Sequence, residues 1–226
     1  MRTKFRPNGD GSLTTRAGAD ATLCLVKTRP SALALFFALL AWLAAVQAAD
    51  LDRPLILVAR PALHGGLFGA AVLVVTPAGG GLHAGFIVNR PTNVHLVVTS
   101  PETASAQAVA PLYLGGPVDA DQVFALIQGA KSPGGHSFEI LPRLYAAYEP
   151  AVLLELVKTQ SDKARFVAGH VAWRPGELQA EVDAGAWYVL EPDAGLVMAS
   201  PDGLWEELVR RGARTANAVW ASLTPN

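Results

Sequence analysis

The 226-residue chain has a single cysteine, Cys24, and it lies ahead of an apolar run from Ser31 to Val46. A domain beginning after that run carries no thiol, so disulfides and thiolate metal ligands are excluded from its chemistry. Charge is also scarce. Asp, Glu, Lys and Arg make up 16% of the residues, and beyond Arg210, Arg211 and Arg214 there is no cluster of cations. A protein that holds nucleic acid must neutralise phosphates with a basic face, so no direct nucleic-acid contact is expected. Phosphate-binding, dinucleotide-binding and nucleophile-elbow strings are missing, and the five histidines (His64, His83, His95, His136, His170) form neither His-x-His nor His-Glu-x-x-His. The expectation is therefore no metal and no cofactor.

The N-terminal region reads as an export signal. Lys27 and Arg29 precede the uncharged run Ser31 to Val46, and Val46-Gln47-Ala48 follows with small or modest residues where a signal peptidase reads. About 16 apolar residues fall short of the roughly 20 that span a bilayer, so cleavage near Ala48 is expected, with an uncleaved membrane anchor as the alternative. The polar stretch Met1 to Thr22 is long for such a leader, which suggests initiation further downstream, near Leu23 or Val26. Residues 49–226 then form one domain in the periplasm or outside the cell. The first 48 residues hold six basic and two acidic side chains, leaving 12 basic and 17 acidic, a net charge of −5.

Local patterns in this domain alternate between strand and helix. Leu55 to Ala59 is an apolar run between prolines, and Ala70 to Thr76 with Leu82 to Asn89 flank the breaker cluster Pro77 to Gly81, predicting a hairpin. Val94 to Val98 is β-branched but short, and Pro101 to Ala108 is polar and small, a strand or a loop. Gln122 to Gln128, Ser137 to Leu141, Ala164 to Trp173 and Trp187 to Leu190 read as further strands, with Gly169 marking a bulge or close backbone approach in a central one. Pro150 to Lys158 places Val152, Leu153, Leu156 and Val157 on one helical face. Gly176 to Asp183 is a short helix, and Ser200-Pro201 predicts the start of another that ends at Gly212. The mixture, with hairpins, predicts an α+β class.

Four motifs in order carry a resemblance: Gly85-Phe-Ile-Val-Asn-Arg-Pro91, Tyr113-Leu-Gly-Gly-Pro-Val118, Gly169-His-Val-Ala-Trp173 with Gly176-Glu-Leu-Gln-Ala-Glu181 and Trp187, and Leu204-Trp205. Together they resemble the YqgE/AlgH family over nearly the whole domain. The resemblance implies a branched, partly barrel-like antiparallel sheet surrounded by helices. It also implies a family of uncharacterised proteins, described after AlgH as transcriptional regulators of alginate synthesis and mostly lacking an export signal. This chain departs at its leader, at His64-Gly-Gly-Leu-Phe68 where the family tends to Asp-Pro-x-Phe, at the Pro77 to Gly81 turn, and at His170 where a Tyr is usual.

Two sets of residues stand out as candidate binding groups. Asn89 and Arg90 end a strand where a guanidinium could clamp a carboxylate or phosphate, and Gly115 with Gly116 could aim N–H groups at the same anion. The structural alternative has Arg90 on a carboxylate and the glycines in a turn needing positive φ. Trp173, Glu177 and Trp187 could line a cleft with Glu177 as acid or base, or could be core packing beside a helix start. His136 beside Ser137 is poorly placed for nucleophilic catalysis, because neighbours on an extended chain face opposite ways. The leading expectation is a non-catalytic domain binding a small anionic ligand or another envelope protein, meeting the membrane only through an uncleaved leader. A regulatory role and an unrecognised hydrolase are the alternatives.

Overall fold

The computed structural model describes residues 50–63, 65–99 and 106–223. The expected leader, His64 and residues 101–105 of the Pro101 to Ala108 stretch lie outside them. Ten strands and four helices make an α+β domain whose sheet curls into a half-barrel. The strands are β1 (Leu55–Ala59), β2 (Val72–Gly79), β3 (Leu82–Ile87), β4 (Pro91–Thr99), β5 (Ala106–Leu114), β6 (Val118–Gln128), β7 (Ser137–Leu141), β8 (Leu144–Ala147), β9 (Ala164–Trp173) and β10 (Trp187–Leu190). The helices are α1 (Pro150–Thr159), α2 (Glu177–Asp183), α3 (Ala194–Met198) and α4 (Leu204–Leu223).

The main path runs β10-β1-β2-β3-β9-β6-β8-β7, and the β4–β5 ribbon branches off at β9. Strand β9 is the hub. Its first half pairs with β6 antiparallel and with β5 parallel, and its last residues pair with β3. The β5–β9 ladder is the parallel pairing at the branch of this otherwise antiparallel sheet among the described residues. Curling brings β7 back toward β2.

Both faces of the β1–β2 region are covered, which is why Leu55–Ala59 is apolar at every position rather than alternating. Ile56, Val58, Val72 and Val74 pack inward with Phe86, Phe124 and Leu126, while α3 and α4 add Val197, Leu204 and Leu208. Leu55, Leu57, Leu73 and Val75 point the other way, onto Trp173, Leu178 and Trp187. Helix α1 seals a third cluster by laying Leu156 and Val157 on Ile127 and Phe166, with Val152 and Leu153 partly buried beside them, as its periodicity predicts.

Three boundaries differ from expectation. The β2–β3 turn is narrower than Pro77 to Gly81, since Gly79 pairs with Leu82 and only Gly80-Gly81 turn, both at positive φ as a two-residue hairpin loop requires. Strands β4 and β5 are nine residues each, so Val94 to Val98 is the middle of a long ribbon. Ser200-Pro201 forms a turn, helix α4 begins at Leu204, and it continues through Gly212 to Leu223.

Arg165 sits at the centre of the domain, only 6% exposed. Its guanidinium donates to the carbonyls of Val88 and Ala199 and lies 4.5 Å from the Tyr113 ring centre. Burial pulls its pKa below the ordinary arginine value, partly countered by Tyr113. Among the described residues no carboxylate pairs with it. It ties β9 to the end of β3 and to the turn after α3.

Candidate ligand pocket

The expected site residues are held by the scaffold in separate tasks. Asn89 accepts a hydrogen bond from the Val72 N–H and donates to the Ala70 carbonyl, each at 2.9 Å, and so clips the entry of β2 to the exit of β3. Arg90 donates to the Gly69 carbonyl, and among the described residues it pairs with no carboxylate. It lines a cavity of about 440 Å³ with Leu63, Gly65, Gly66 and Trp205.

Gly115 and Gly116 do not present N–H groups to an anion. Both donate to the Ala168 carbonyl, at 2.8 and 3.3 Å. Neither has positive φ, so the turn explanation fails as well. They are glycines because β9 presses against them. A Cβ on Gly115 would lie 2.3 Å from the Gly169 carbonyl oxygen, and one on Gly116 would lie 2.2 Å from the carbonyl of His170.

Glu177 is exposed and accepts from the Arg174 N–H at 2.8 Å, closing the start of α2. The carboxylate that meets the tryptophans is one helical turn further on. Glu181 Oε2 accepts from Nε1 of Trp173 at 3.1 Å and from Nε1 of Trp187 at 2.8 Å. Two buried indoles sharing one acceptor make a structural clasp, in which i,i+4 spacing puts Glu181 where Glu177 was expected.

The pocket built from chemistry-bearing side chains lies elsewhere. A cleft of about 340 Å³ is lined by Ala84, Phe86, Asp119, Gln122, Phe124, Phe138, Tyr148 and His170. Strand alternation supplies Ala84 with Phe86 from β3 and Gln122 with Phe124 from β6, each pair on one face. His170 comes from β9, Phe138 from β7, and Tyr148 from just beyond β8. The rings form a continuous cup: Phe86 to Phe124 5.1 Å, Phe124 to His170 5.9 Å, Phe124 to Tyr148 5.8 Å and Phe138 to Tyr148 6.5 Å between centres. Phe86 and Phe124 are its buried floor, and Phe138 is an exposed wall.

The motif glycines create this cup. On β6, Val118 pairs with His170 but Val123 pairs with Ala168, so residues 119–122 bulge across the single residue Gly169. Gly169 adopts φ +70°, and a Cβ there would lie 2.4 Å from the Gly116 carbonyl oxygen and 2.9 Å from that of Val118. The bulge delivers Asp119 and Gln122 to the cup, with Asp119 itself at φ +47°. The nearer Asp119 carboxylate oxygen is 3.8 Å from His170 Nδ1, too long for a hydrogen bond, and Nδ1 is a buried atom without a partner among the described residues.

At the rim, the His136 ring stacks on Tyr148 at 5.5 Å, and its Nδ1 is 3.1 Å from Glu149 Oε2. Ser137 is bonded to Ser132, hydroxyl to hydroxyl, at 2.6 Å and is not presented to that imidazole. Among the described residues no cluster of three or more His, Asp or Glu side chains is placed to hold a metal ion. None of their helices is long and apolar enough to cross a membrane.

A family model described as AlgH-like matches residues 56–215. A UPF0301 protein of Streptomyces avermitilis is 33% identical over 167 residues, spanning 69% of this chain and 84% of its own. A UPF0301 protein of Chlamydia muridarum is 26% identical over 175 residues, spanning 74% and 90%. Among solved structures, the solution structure of the AlgH protein from Pseudomonas aeruginosa aligns with a TM-score of 0.58 at 20% identity, covering 80% of this chain and 97% of that one. A crystal structure of a Corynebacterium diphtheriae protein gives 0.57 at 22%, covering 74% and 91%. At such identities the two structures speak for the fold.

Proposed function

The chain belongs to the AlgH-like family, and from that premise we propose that it is a non-catalytic binding module of the cell envelope whose ligand sits in the aromatic cup. The observation that carries this reading is the cup itself: about 340 Å³, floored and walled by five rings, with a few polar groups at one side. That size and lining suit a small organic molecule. Support also comes from the groups that looked catalytic. Glu177 is spent on a backbone N–H and Ser137 on Ser132. The leader sequence supports the envelope location, and a regulatory role would run through ligand occupancy rather than DNA contact.

A second reading keeps the expected anionic ligand and moves it to the cavity beside Arg90, where a guanidinium faces a glycine-rich loop. Both readings are tested by ligand-observed NMR with a library of small aromatic, cationic and anionic compounds. Ala84→Phe fills the cup and removes nothing, whereas Arg90→Gln discharges the other cavity. Hits abolished by Ala84→Phe and indifferent to Arg90→Gln are expected. Hits lost only in Arg90→Gln transfer the function to the second cavity, and turnover in a hydrolysis screen that is abolished by His136→Ala removes the non-catalytic reading.

A further inference from the structure

The fixed charge in the cup's lining is of one sign. Its lining holds the Asp119 carboxylate, 68% exposed, and no lysine or arginine. Glu149 adds a second carboxylate near the rim, 3.1 Å from Nδ1 of the His136 ring that stacks on Tyr148. Aromatic faces carry negative quadrupoles that attract cations, most strongly when the cation is desolvated in a cage of rings. Gln122 is a neutral donor and acceptor, and its Nε2 is turned to its neighbour Val123's carbonyl at 2.9 Å. An anion entering here would meet a carboxylate, with no fixed cation in the lining to receive it.

Resting on the proposed binding role of the same cup, we infer that its ligand is an organic cation, a quaternary or alkylated ammonium, with the methyl groups on Phe86, Phe124 and Tyr148 and the charge facing Asp119. The β6 bulge has a purpose in this arrangement. It holds Asp119 in a left-handed conformation that a carboxamide or carboxylate residue tolerates better than most, so the charge stands beside the rings rather than in the strand ladder. His170 offers its ring from the same wall and is 5.9 Å from Phe124, centre to centre.

The test compares choline with its neutral isostere 3,3-dimethylbutan-1-ol, with acetate and inorganic phosphate as anionic probes, by NMR titration of the domain at about pH 8, above the ordinary histidine range. Choline is expected to bind about 10-fold more tightly than the isostere. Asp119→Asn is expected to reduce that preference, and Ala84→Phe to abolish binding of both. Equal affinity for choline and the isostere, tighter binding of either anion, or no saturation by choline in the millimolar range overturns the cation inference. Library compounds that still compete for the cup would then leave the binding role standing. If Ala84→Phe also leaves every library hit unchanged, the binding role falls with it.

Discussion

At the level of single residues, the glycines of the shared motifs act by what they lack. Gly115, Gly116 and Gly169 allow the backbone before β6 to lie against the backbone of β9, with their missing Cβ atoms giving way to carbonyl groups at 2.2–2.4 Å. This crossing sets the register shift that places Asp119 beside His170. Gly116→Ala must therefore push backbone against backbone, with no flexible side chain to yield, and is expected to cost about 2 kcal/mol or more. Gly134→Ala is the control: its φ is +93°, but nothing lies within 4 Å of the added carbon, so its cost is confined to local strain of about 1 kcal/mol. Urea unfolding of the two variants should separate them clearly. Equal midpoints would mean that the crossing relaxes freely and does not set the bulge. These glycines were visible as motifs in the sequence, yet their role was not, because turn chemistry and close packing select the same residue.

Among the elements, strands were legible where burial imposed a simple pattern. Leu55–Ala59 and Ala164–Trp173 are apolar over most of their lengths because layers cover them, and the hairpin of β2 and β3 announces itself by glycine. Helix α4 runs past its apparent stop for a physical reason. Gly212 looked like a helix stop, but it is an interior contact where a Cβ would come 2.7 Å from Cγ of Tyr188, so glycine there admits a ring rather than ending a helix. The β4–β5 ribbon is hard to read because β4 is exposed along one face yet carries Val97 there, between Leu96 and Val98, which masks its alternation. The cup was nearly invisible in sequence, since its rings arrive from four strands and a strand end between residues 86 and 170, each at spacing ordinary for a core. The departure at His170 was its single local sign. Electrostatics at the edge of the sheet give another test. Arg53, ahead of β1, makes a two-pronged contact with Glu191, after β10, at 2.6 and 2.7 Å. Hydrogen bonding to Arg53 lowers the Glu191 pKa below its ordinary value. A depressed carboxylate contributes stability that is fully present above its unfolded pKa, about 4.3, and is lost as pH falls through the folded value. Thermal melts should thus decline more steeply below about pH 4.3 in the parent than in Glu191→Gln, and about 1 M salt should erase the difference, because both groups are exposed and screened. Identical acid limbs at low salt would show that the pair does not form in solution.

For the molecule as a whole, a proposed address and a proposed ligand constrain one another. A domain of net charge −5 without a thiol is suited to an oxidising compartment and poorly suited to nucleic acid. The proposed address rests on the order of Lys27 and Arg29, the apolar run and Val46-Gln47-Ala48. If export is the address, the ligand must be one available outside the cytoplasm. The full chain expressed in a Gram-negative host should be released by osmotic shock as a species whose intact mass begins at Ala49. A released domain should retain the choline preference, because every cup residue lies downstream of the cut. A product that stays with the membrane and keeps its apolar run would establish the anchored alternative, leaving the cup outside the cytoplasm. A soluble cytosolic product bearing that run would remove the envelope from the proposal, and the cation would then have to be sought among cytoplasmic metabolites.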